Sequence, residues 1–217
     1  MKRFMIAALI MTGAIASNAQ EYLLENPDNK DYFGIRLGVD ITSTPGPGSD
    51  TYSNGAGFSI GAVYNIPVYK NLYVEPGLSL FYDTFSDNIL VADDGSLEMP
   101  LQIGRSFRNF GFRIPIVAGY HFDFTDQVSI APFTGPQFNV SLYAHDHVDE
   151  PYDFSVGSLF GENGFKHFDV QWTIGASVTY DRFVFTAAGA FGLTRVYTMN
   201  DDRIRRNTCT ISVGYNF

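Results

Sequence analysis

The stretch Cys209-Thr-Ile-Ser-Val-Gly-Tyr-Asn-Phe217 alternates apolar with small or polar residues up to the last residue of the chain. Side chains of a β-strand point alternately to its two sides, so this pattern predicts a strand with one apolar and one polar face. In a soluble protein such a terminal strand would be an exposed edge that invites aggregation. In a closed membrane barrel its apolar face meets lipid. The stretch therefore predicts a membrane barrel, provided that similar strands precede it.

The amino terminus has the composition of a secretory signal peptide. Lys2-Arg3 is a basic start, residues 4–16 are mostly apolar, and Ser17-Asn18-Ala19 is a small-residue cleavage site. We expect export by the Sec route and cleavage after Ala19. The chain then divides into a signal peptide, a periplasmic leader and a barrel: 1–19, 20–31 and 32–217.

Composition favours an all-β chain and argues against nucleic-acid binding and against a disulfide-bonded fold. The net charge of −9 argues against nucleic-acid binding, which needs clustered basic residues. The single Cys209 cannot form an intramolecular disulfide, and it reads as a small hydrophobe on the apolar face rather than a nucleophile. Aromatic residues make up 16% of the chain and there are 21 glycines, while charged residues contribute only 17%. We expect one domain and no cofactor.

Seven earlier segments repeat the alternation of the terminal stretch, with aromatic and aliphatic residues on one face and Gly, Ser or charged residues on the other. They are 33–42, 57–66, 72–82, 110–122, 128–143, 168–180 and 183–193. With the terminal stretch they predict an even number of strands, as outer-membrane barrels have.

The connections between these segments alternate in length. Long polar segments are predicted to be loops at 43–54, 84–108, 144–167 and 195–206. Short turns separate the other strands. Outer-membrane barrels have short periplasmic turns and longer external loops. The sequence therefore predicts an eight-stranded antiparallel up-and-down transmembrane β-barrel with both termini in the periplasm.

Four prolines fall inside predicted strands, where proline removes a hydrogen-bond donor from the ladder. They are Pro76, Pro115, Pro132 and Pro136. We expect bulges or kinks at these positions. A sharper hypothesis is that they form a weak seam in the wall that admits a lipid or a partner.

Short motifs throughout the chain resemble the outer-membrane β-barrel proteins abundant in Bacteroidetes, the PorT-like or "porin family" barrels. The matching segments are Leu72-Tyr-Val-Glu-Pro-Gly-Leu78, Arg113-Ile-Pro-Ile116, Gly135-Pro-Gln137, Phe168-Asp169 with Ile174-Gly-Ala176, Gly214-Tyr-Asn-Phe217 and Asn18-Ala-Gln20. The resemblance implies an outer-membrane location in contact with lipid. It also implies insertion by the barrel-assembly machinery, with Tyr215 and Phe217 as the assembly signal. It brings no catalytic residues.

Six ionisable residues are expected to face the lumen: Arg36, Asp40, Glu75, Arg113, His121 and Asp169. An eight-stranded barrel has room for little besides side chains, and buried charges must pair. We expect Glu75 to pair with Arg36 or Arg113. The interior is then either a plug of salt bridges or a narrow path for ions or small solutes.

Two charged clusters lie in the predicted loops. His145, His147, Asp149 and Glu150 have metal-ligand chemistry that suits zinc, although a solvated loop is the simpler interpretation. Asp201-Asp202 and Arg203, Arg205 and Arg206 form a mixed-charge loop tip that we expect to be solvated.

These observations predict a non-enzymatic outer-membrane protein, structural or binding a partner or ligand through long acidic external loops. The alternative is a narrow, porin-like channel. A lipid-modifying barrel enzyme is the third hypothesis, but no His in the chain has a Ser two residues later, as barrel deacylases require. We expect a monomer, with an external or periplasmic protein partner of unknown identity.

Overall fold

The computed structural model describes residues 31–44, 54–91, 101–125, 127–148, 160, 166–196 and 205–217. The predicted signal peptide and all of the predicted leader except Asp31 lie outside these residues. Every regular element in the described part of the chain is a β-strand. Within it, no helix has the length and apolar character needed to cross a membrane.

Nine strands form one antiparallel sheet: β1 (Tyr32–Ser43), β2 (Gly55–Tyr69), β3 (Leu72–Val91), β4 (Leu101–Tyr120), β5 (Phe122–Asp123), β6 (Val128–Val148), β7 (Phe168–Tyr180), β8 (Phe183–Gly192) and β9 (Asn207–Asn216). The neighbours run β4-β3-β2-β1-β9-β8-β7-β6-β5, and β4 also pairs with β6. The sheet is therefore closed. Because β5 only continues β4 beyond His121, the wall is an eight-stranded barrel, as predicted.

The terminal strand closes the barrel against the first one. β9 pairs with β1 from Gly34↔Asn216 to Ser43↔Asn207. The backbone N–H of Phe217 also donates to the carbonyl of Phe33 at 2.8 Å. The alternating stretch from which the barrel was predicted thus lies at the closing seam.

Two of the short turns begin with a residue in the left-handed region. Lys70 between β2 and β3 has φ 49°, and Asp181 between β7 and β8 has φ 54°. Positive φ allows the chain to reverse within two residues while keeping the strand twist. These turns lie at the same end of the barrel as both termini, which we call the short-turn end.

The outer face of the barrel carries an apolar band. Aliphatic side chains occupy its middle, with exposed fractions of 53% for Leu37, 54% for Ile174 and 50% for Ile211. Exposed aromatic side chains border this band at both ends. They are Phe33, Tyr69, Tyr120, Phe183 and Phe217 at the short-turn end, and Phe58, Phe110, Tyr143, Phe168 and Phe191 at the other. An apolar band between two aromatic girdles is the surface that a lipid bilayer requires.

Three adjacent strands continue past the second aromatic girdle. β3, β4 and β6 have 20, 20 and 21 residues, whereas β8 and β9 have 10 each. β3 pairs with β2 only as far as Thr84, and β6 pairs with β7 only as far as Val140. Beyond these points the three strands pair with one another. We call this extension the blade: residues 85–91, 101–107 and 144–148.

The blade corrects two predicted loops. Residues 84–108 were expected to form one long loop, but Thr84–Val91 and Leu101–Arg108 pair as strands in continuous register. Likewise 144–167 was expected to be a loop, yet Ala144–Val148 belongs to β6. Both predictions relied on polar composition. A strand that stands outside the membrane needs backbone partners but no apolar face, so polar residues do not argue against it.

The strand prolines do not cause the predicted bulges. The register shifts in β2–β3 and β4–β6 pairing lie between Pro67 and Tyr69 and between Phe110 and Gly111. Near Pro76 and Pro115 the ladder skips pairs and then resumes in the same register. Proline removes its own hydrogen bond without adding a residue to the strand, which explains gaps without shifts. The weak-seam hypothesis stays a prediction.

Candidate functional site

Charged side chains fill one level of the lumen, near the girdle from which the blade rises. Asp40 and Asp83 are 0% and 1% exposed, and Arg113 is 4% exposed. Asp169 and Arg206 are buried at the same level. Together with Phe81, these residues form what we call the plug. It draws on β1, β3, β4, β7 and the residue before β9, so its contacts cross the lumen.

Arg113 joins two carboxylates on neighbouring parts of the wall. Its Nη1 donates to Asp40 Oδ2 at 2.6 Å, and its Nη2 donates to both oxygens of Asp83 at 2.9 and 3.1 Å. Thr210 adds a hydroxyl hydrogen bond to the other oxygen of Asp40. Buried ion pairs of this kind persist only when such extra hydrogen bonds satisfy the charges.

Arg206 completes the plug from the opposite side of the lumen. Its Nη2 donates to Asp169 Oδ1 at 2.6 Å, whereas its Nη1 lies 3.8 Å from Asp83 Oδ2. The Phe81 ring contacts both guanidinium groups, with its centroid 4.5 Å from Arg113 Cζ and 5.1 Å from Arg206 Cζ. Cation–π contacts at these distances strengthen when they are withdrawn from water.

A chain of amides ties the plug to β6 and β7. Gln137 donates to Gln171 at 2.8 Å and to Asn139 at 3.1 Å, and Asn139 in turn donates to Asp169 at 2.8 Å. Gln171 also donates to the backbone carbonyl of Arg206 at 2.9 Å. The carboxylate of Asp169 is therefore held by both a guanidinium and an amide, which fixes its position in the lumen.

The short-turn end of the lumen holds a second, looser polar group. The hydroxyl of Tyr32 donates to Glu75 at 3.4 Å, and the His121 ring stacks on Tyr73 with centroids 4.4 Å apart. Arg36, Glu75 and His121 are only half-buried, unlike the charged residues of the plug. Of the two predicted partners of Glu75, Arg113 pairs with aspartates instead. Arg36 is the arginine that interacts electrostatically with Glu75, although no ion pair within 4.0 Å joins the two among the described residues.

A cavity of about 130 Å³ lies between these two groups. We call it the chamber. Arg36, Glu75 and Arg113 line it together with a belt of hydroxyl side chains: Ser59, Ser79, Ser177, Ser212, Thr173, Thr186 and Thr210. At roughly 30 Å³ per molecule, a space of this size suits a handful of waters, and hydroxyl groups are suitable partners for them.

Sequence reasoning found part of this site and missed two of its charges. Asp40, Arg113 and Asp169 lie in the plug, while Arg36, Glu75 and His121 lie at the short-turn end. Asp83 was not proposed, although it continues the inward phase of Ser79 along β3. Arg206 was expected in a solvated loop tip, yet it is 3% exposed. Its inward phase with Thr208 and Thr210 was the signal for it.

The proposed metal ligands are only partly described. His145 lies on β6, where its ring stacks on Tyr143 at 5.7 Å, and His147 shares the same strand. This corrects their assignment to a loop. Asp149 and Glu150 lie outside the described residues. No group of three potential ligands comes together within the described part of the chain, so the four-residue zinc site stays a prediction.

The closed barrel with an apolar belt and a polar, side-chain-filled lumen defines a class of small transmembrane β-barrels. The profile of the outer membrane protein beta-barrel domain family matches residues 18–198, so the chain belongs to this family of the bacterial outer membrane. The narrower resemblance to PorT-like barrels stays a prediction. The periplasmic position of the short-turn end stays a prediction, which follows from the short periplasmic turns and longer external loops of such barrels.

Solved structures with a similar barrel share little sequence with this chain. The Ail attachment invasion locus protein of Yersinia pestis, in complex with the heparin analogue sucrose octasulfate, is 14% identical at a TM-score of 0.46, with 87% of this chain and 100% of Ail covered. Neisserial surface protein A is 12% identical at a TM-score of 0.47 with the same coverage. LpxR from Salmonella typhimurium is 8% identical at a TM-score of 0.29, with 84% and 100% covered. No curated protein matches the chain.

Proposed function

We propose that this protein is a non-enzymatic outer-membrane barrel that displays the blade and its acidic connections outside the cell, where they bind a partner. The observation that carries the proposal is the unequal length of the strands. About 9–11 residues carry a tilted strand across a membrane. β3, β4 and β6 are twice that length, and the excess forms one continuous three-stranded sheet.

The charge of two of the outer connections supports a partner with a basic surface. The connection from β3 to β4 contains Asp93, Asp94 and Glu98 without a basic residue. The connection from β6 to β7 begins with Asp149 and Glu150. Complementary charge would speed the encounter and make binding sensitive to salt, since exposed charges are screened over about 10 Å at 0.1 M ionic strength.

The non-enzymatic part of the proposal rests on the sequence. Lipid-modifying barrels of the deacylase type need a His as base with a nucleophilic Ser two residues later on the same strand, and none of the four histidines has a Ser at this spacing. We expect the mass spectrum of lipid A to be the same in cells that express the protein and in cells that lack it. A new lipid A species that depends on expression would overturn this part.

Photo-crosslinking in intact cells tests the binding role. A photoreactive residue replaces His145 on the blade or, as a control, the lipid-facing Ile211 on β9. The expected result is a discrete crosslinked product from position 145 that weakens at high salt and is absent from position 211.

A second control removes the parts of the blade that β3 and β4 contribute and keeps the barrel. Residues 86–106 are replaced by a short turn, and the outward photoreactive site at 145 is retained. The product should disappear in this variant while the barrel still inserts. A product of equal yield from the shortened barrel would show that the partner contacts another part of the molecule.

A further inference from the structure

We propose that the lumen is a cation path and that the Arg206 side chain keeps it shut. This inference concerns the interior and is independent of the binding role of the blade. It rests on the chamber, on the buried polar atoms beside the plug that have no partner, on the way Arg206 is held and on the balance of charge along the lumen.

The first argument is that the chamber can hold water at the depth of the membrane. Its hydroxyl belt comes from strands on several sides of the barrel, including Ser59 on β2, Ser79 on β3 and Thr186 on β8. Hydroxyl groups both donate and accept hydrogen bonds, so they can replace part of the hydration of a passing ion. Half-buried Arg36 and Glu75 border the chamber on its periplasmic side.

The second argument is that sites for water continue from the chamber to the level of the plug. Thr42 and Thr208 lie one inward position beyond Asp40 and Thr210, on the same side as Arg206. Their hydroxyl groups are buried without a partner within the described part of the protein, as is the carbonyl oxygen of the Asn109 side chain. Buried polar atoms of this kind are normally satisfied by protein groups or by water. Sites that favour water therefore lie beside the ion pairs of the plug as well as in the chamber.

The third argument is that the two arginines are held unequally. Arg113 is in the interior of β4 and makes three hydrogen bonds to carboxylates. Arg206 precedes β9, and its side chain makes one hydrogen bond, to Asp169. Its Nη1 has no hydrogen-bond partner within the described residues and lies 3.8 Å from Asp83 Oδ2. Because Arg206 makes fewer hydrogen bonds than Arg113, its displacement costs less, and it removes one of the two cations in contact with Phe81.

The fourth argument concerns charge. The lumen carries the carboxylates of Asp40, Glu75, Asp83 and Asp169 against the guanidiniums of Arg36, Arg113 and Arg206. Acidic groups already outnumber basic ones, and displacement of Arg206 widens the excess. A narrow path with an excess of negative charge favours cations.

Single-channel recording in planar bilayers tests the proposal with potassium chloride on both sides. Wild-type protein should show rare, brief openings. Arg206→Ala should raise the open probability by about tenfold or more, because it removes the hydrogen bond between charged groups that holds Arg206 in the plug. The matched control is Arg205→Ala, since Arg205 is exposed and adjacent in sequence. It should behave as wild type.

A salt gradient then measures selectivity. The reversal potential of Arg206→Ala should shift towards the equilibrium potential of potassium. A shift towards that of chloride would overturn the cation path. Openings that rise equally in Arg205→Ala would show that the effect does not come from the plug.

A second variant guards against misfolding, because Arg206→Ala leaves the buried Asp169 without its cation. Arg206→Ala/Asp169→Asn removes both charges of the pair. Heat-modifiable gel mobility confirms that each variant is folded before recording. If the folded double variant stays as silent as wild type, the plug is a permanent seal and the proposal is wrong.

Discussion

The barrel wall has a short side, formed by β8 and β9, and a long side, formed by β3, β4 and β6, and in our account the two sides have different functions. β8 and β9 have 10 residues each and end where the apolar band ends, while β3 and β4 have 20 each and continue into the blade. The short side contains the closing seam, and Arg206 directly precedes its strand β9. The long side supplies the surface beyond the membrane. Changes on the short side should therefore affect insertion and stability, and changes on the blade should affect binding alone.

The largest effect is expected from deletion of Phe217 on the short side. Its backbone N–H closes the ladder to Phe33, and its ring lies 6.2 Å from that of Phe33 and 5.0 Å from that of Tyr215. We expect most of the protein to be lost from the outer membrane, as measured by the heat-modifiable fraction. Phe217→Tyr keeps the ring and should insert normally. Normal insertion of the deletion would leave the assembly-signal hypothesis without support.

The next largest effect is expected from the loss of Arg113 in the plug, which should lower the stability of the barrel. Arg113→Met leaves the buried Asp40 and Asp83 without their shared cation, and loss of one partner of a buried ion pair costs about 3–5 kcal/mol. Urea unfolding of the barrel in lipid vesicles measures this loss. The variant Arg113→Met/Asp40→Asn/Asp83→Asn should recover part of it. A triple variant as unstable as the single one would mean that packing, not charge, holds the plug.

A smaller loss of stability is expected from a charge placed in the apolar band, and almost none from a charge placed on the blade. Ile211→Arg places a charge on the lipid-facing side of β9, which costs about 2–4 kcal/mol near the bilayer midplane. His145→Arg on the blade should change the free energy of unfolding by less than about 0.5 kcal/mol. The same urea titration compares the two. Equal costs would place position 145 in the lipid and contradict the assignment of the blade.

A small effect on stability is also expected from shortening the blade. Replacement of residues 86–106 by a short turn removes strand pairs that lie beyond the second aromatic girdle. The apolar band and the plug are left intact, so the free energy of unfolding should fall by less than about 1 kcal/mol. A barrel that no longer inserts would show that the blade takes part in folding, which would remove the division between the two sides.

The sequence predicted the barrel because its signal is periodic. Alternation in the stretches around Leu37, Ile174 and Ile211 assigned the outward face, and the closed sheet has that phase. The blade was missed because its strands are held by backbone pairing with one another, which polar composition does not reveal. The sequence also could not predict which side chains pair with one another in the lumen. Which carboxylate meets Arg113 depends on the tilt and register of strands that are distant in sequence.

Arg206 illustrates the same limit at a single residue. Its neighbours in sequence are charged, so local composition indicated a solvated segment. Its position two residues before Thr208, on the inward phase of β9, places it in the lumen. Extending the phase of the terminal strand by three residues before Cys209 would have found it.

Thiol labelling of intact cells tests the division between the two sides most directly. In a Cys209→Ser background, His145→Cys on the blade is compared with Asp181→Cys in a short turn, using a reagent that does not cross the outer membrane. Our account predicts that position 145 is labelled in intact cells, and position 181 only after the outer membrane is permeabilised. Labelling of position 181 but not position 145 in intact cells would contradict it.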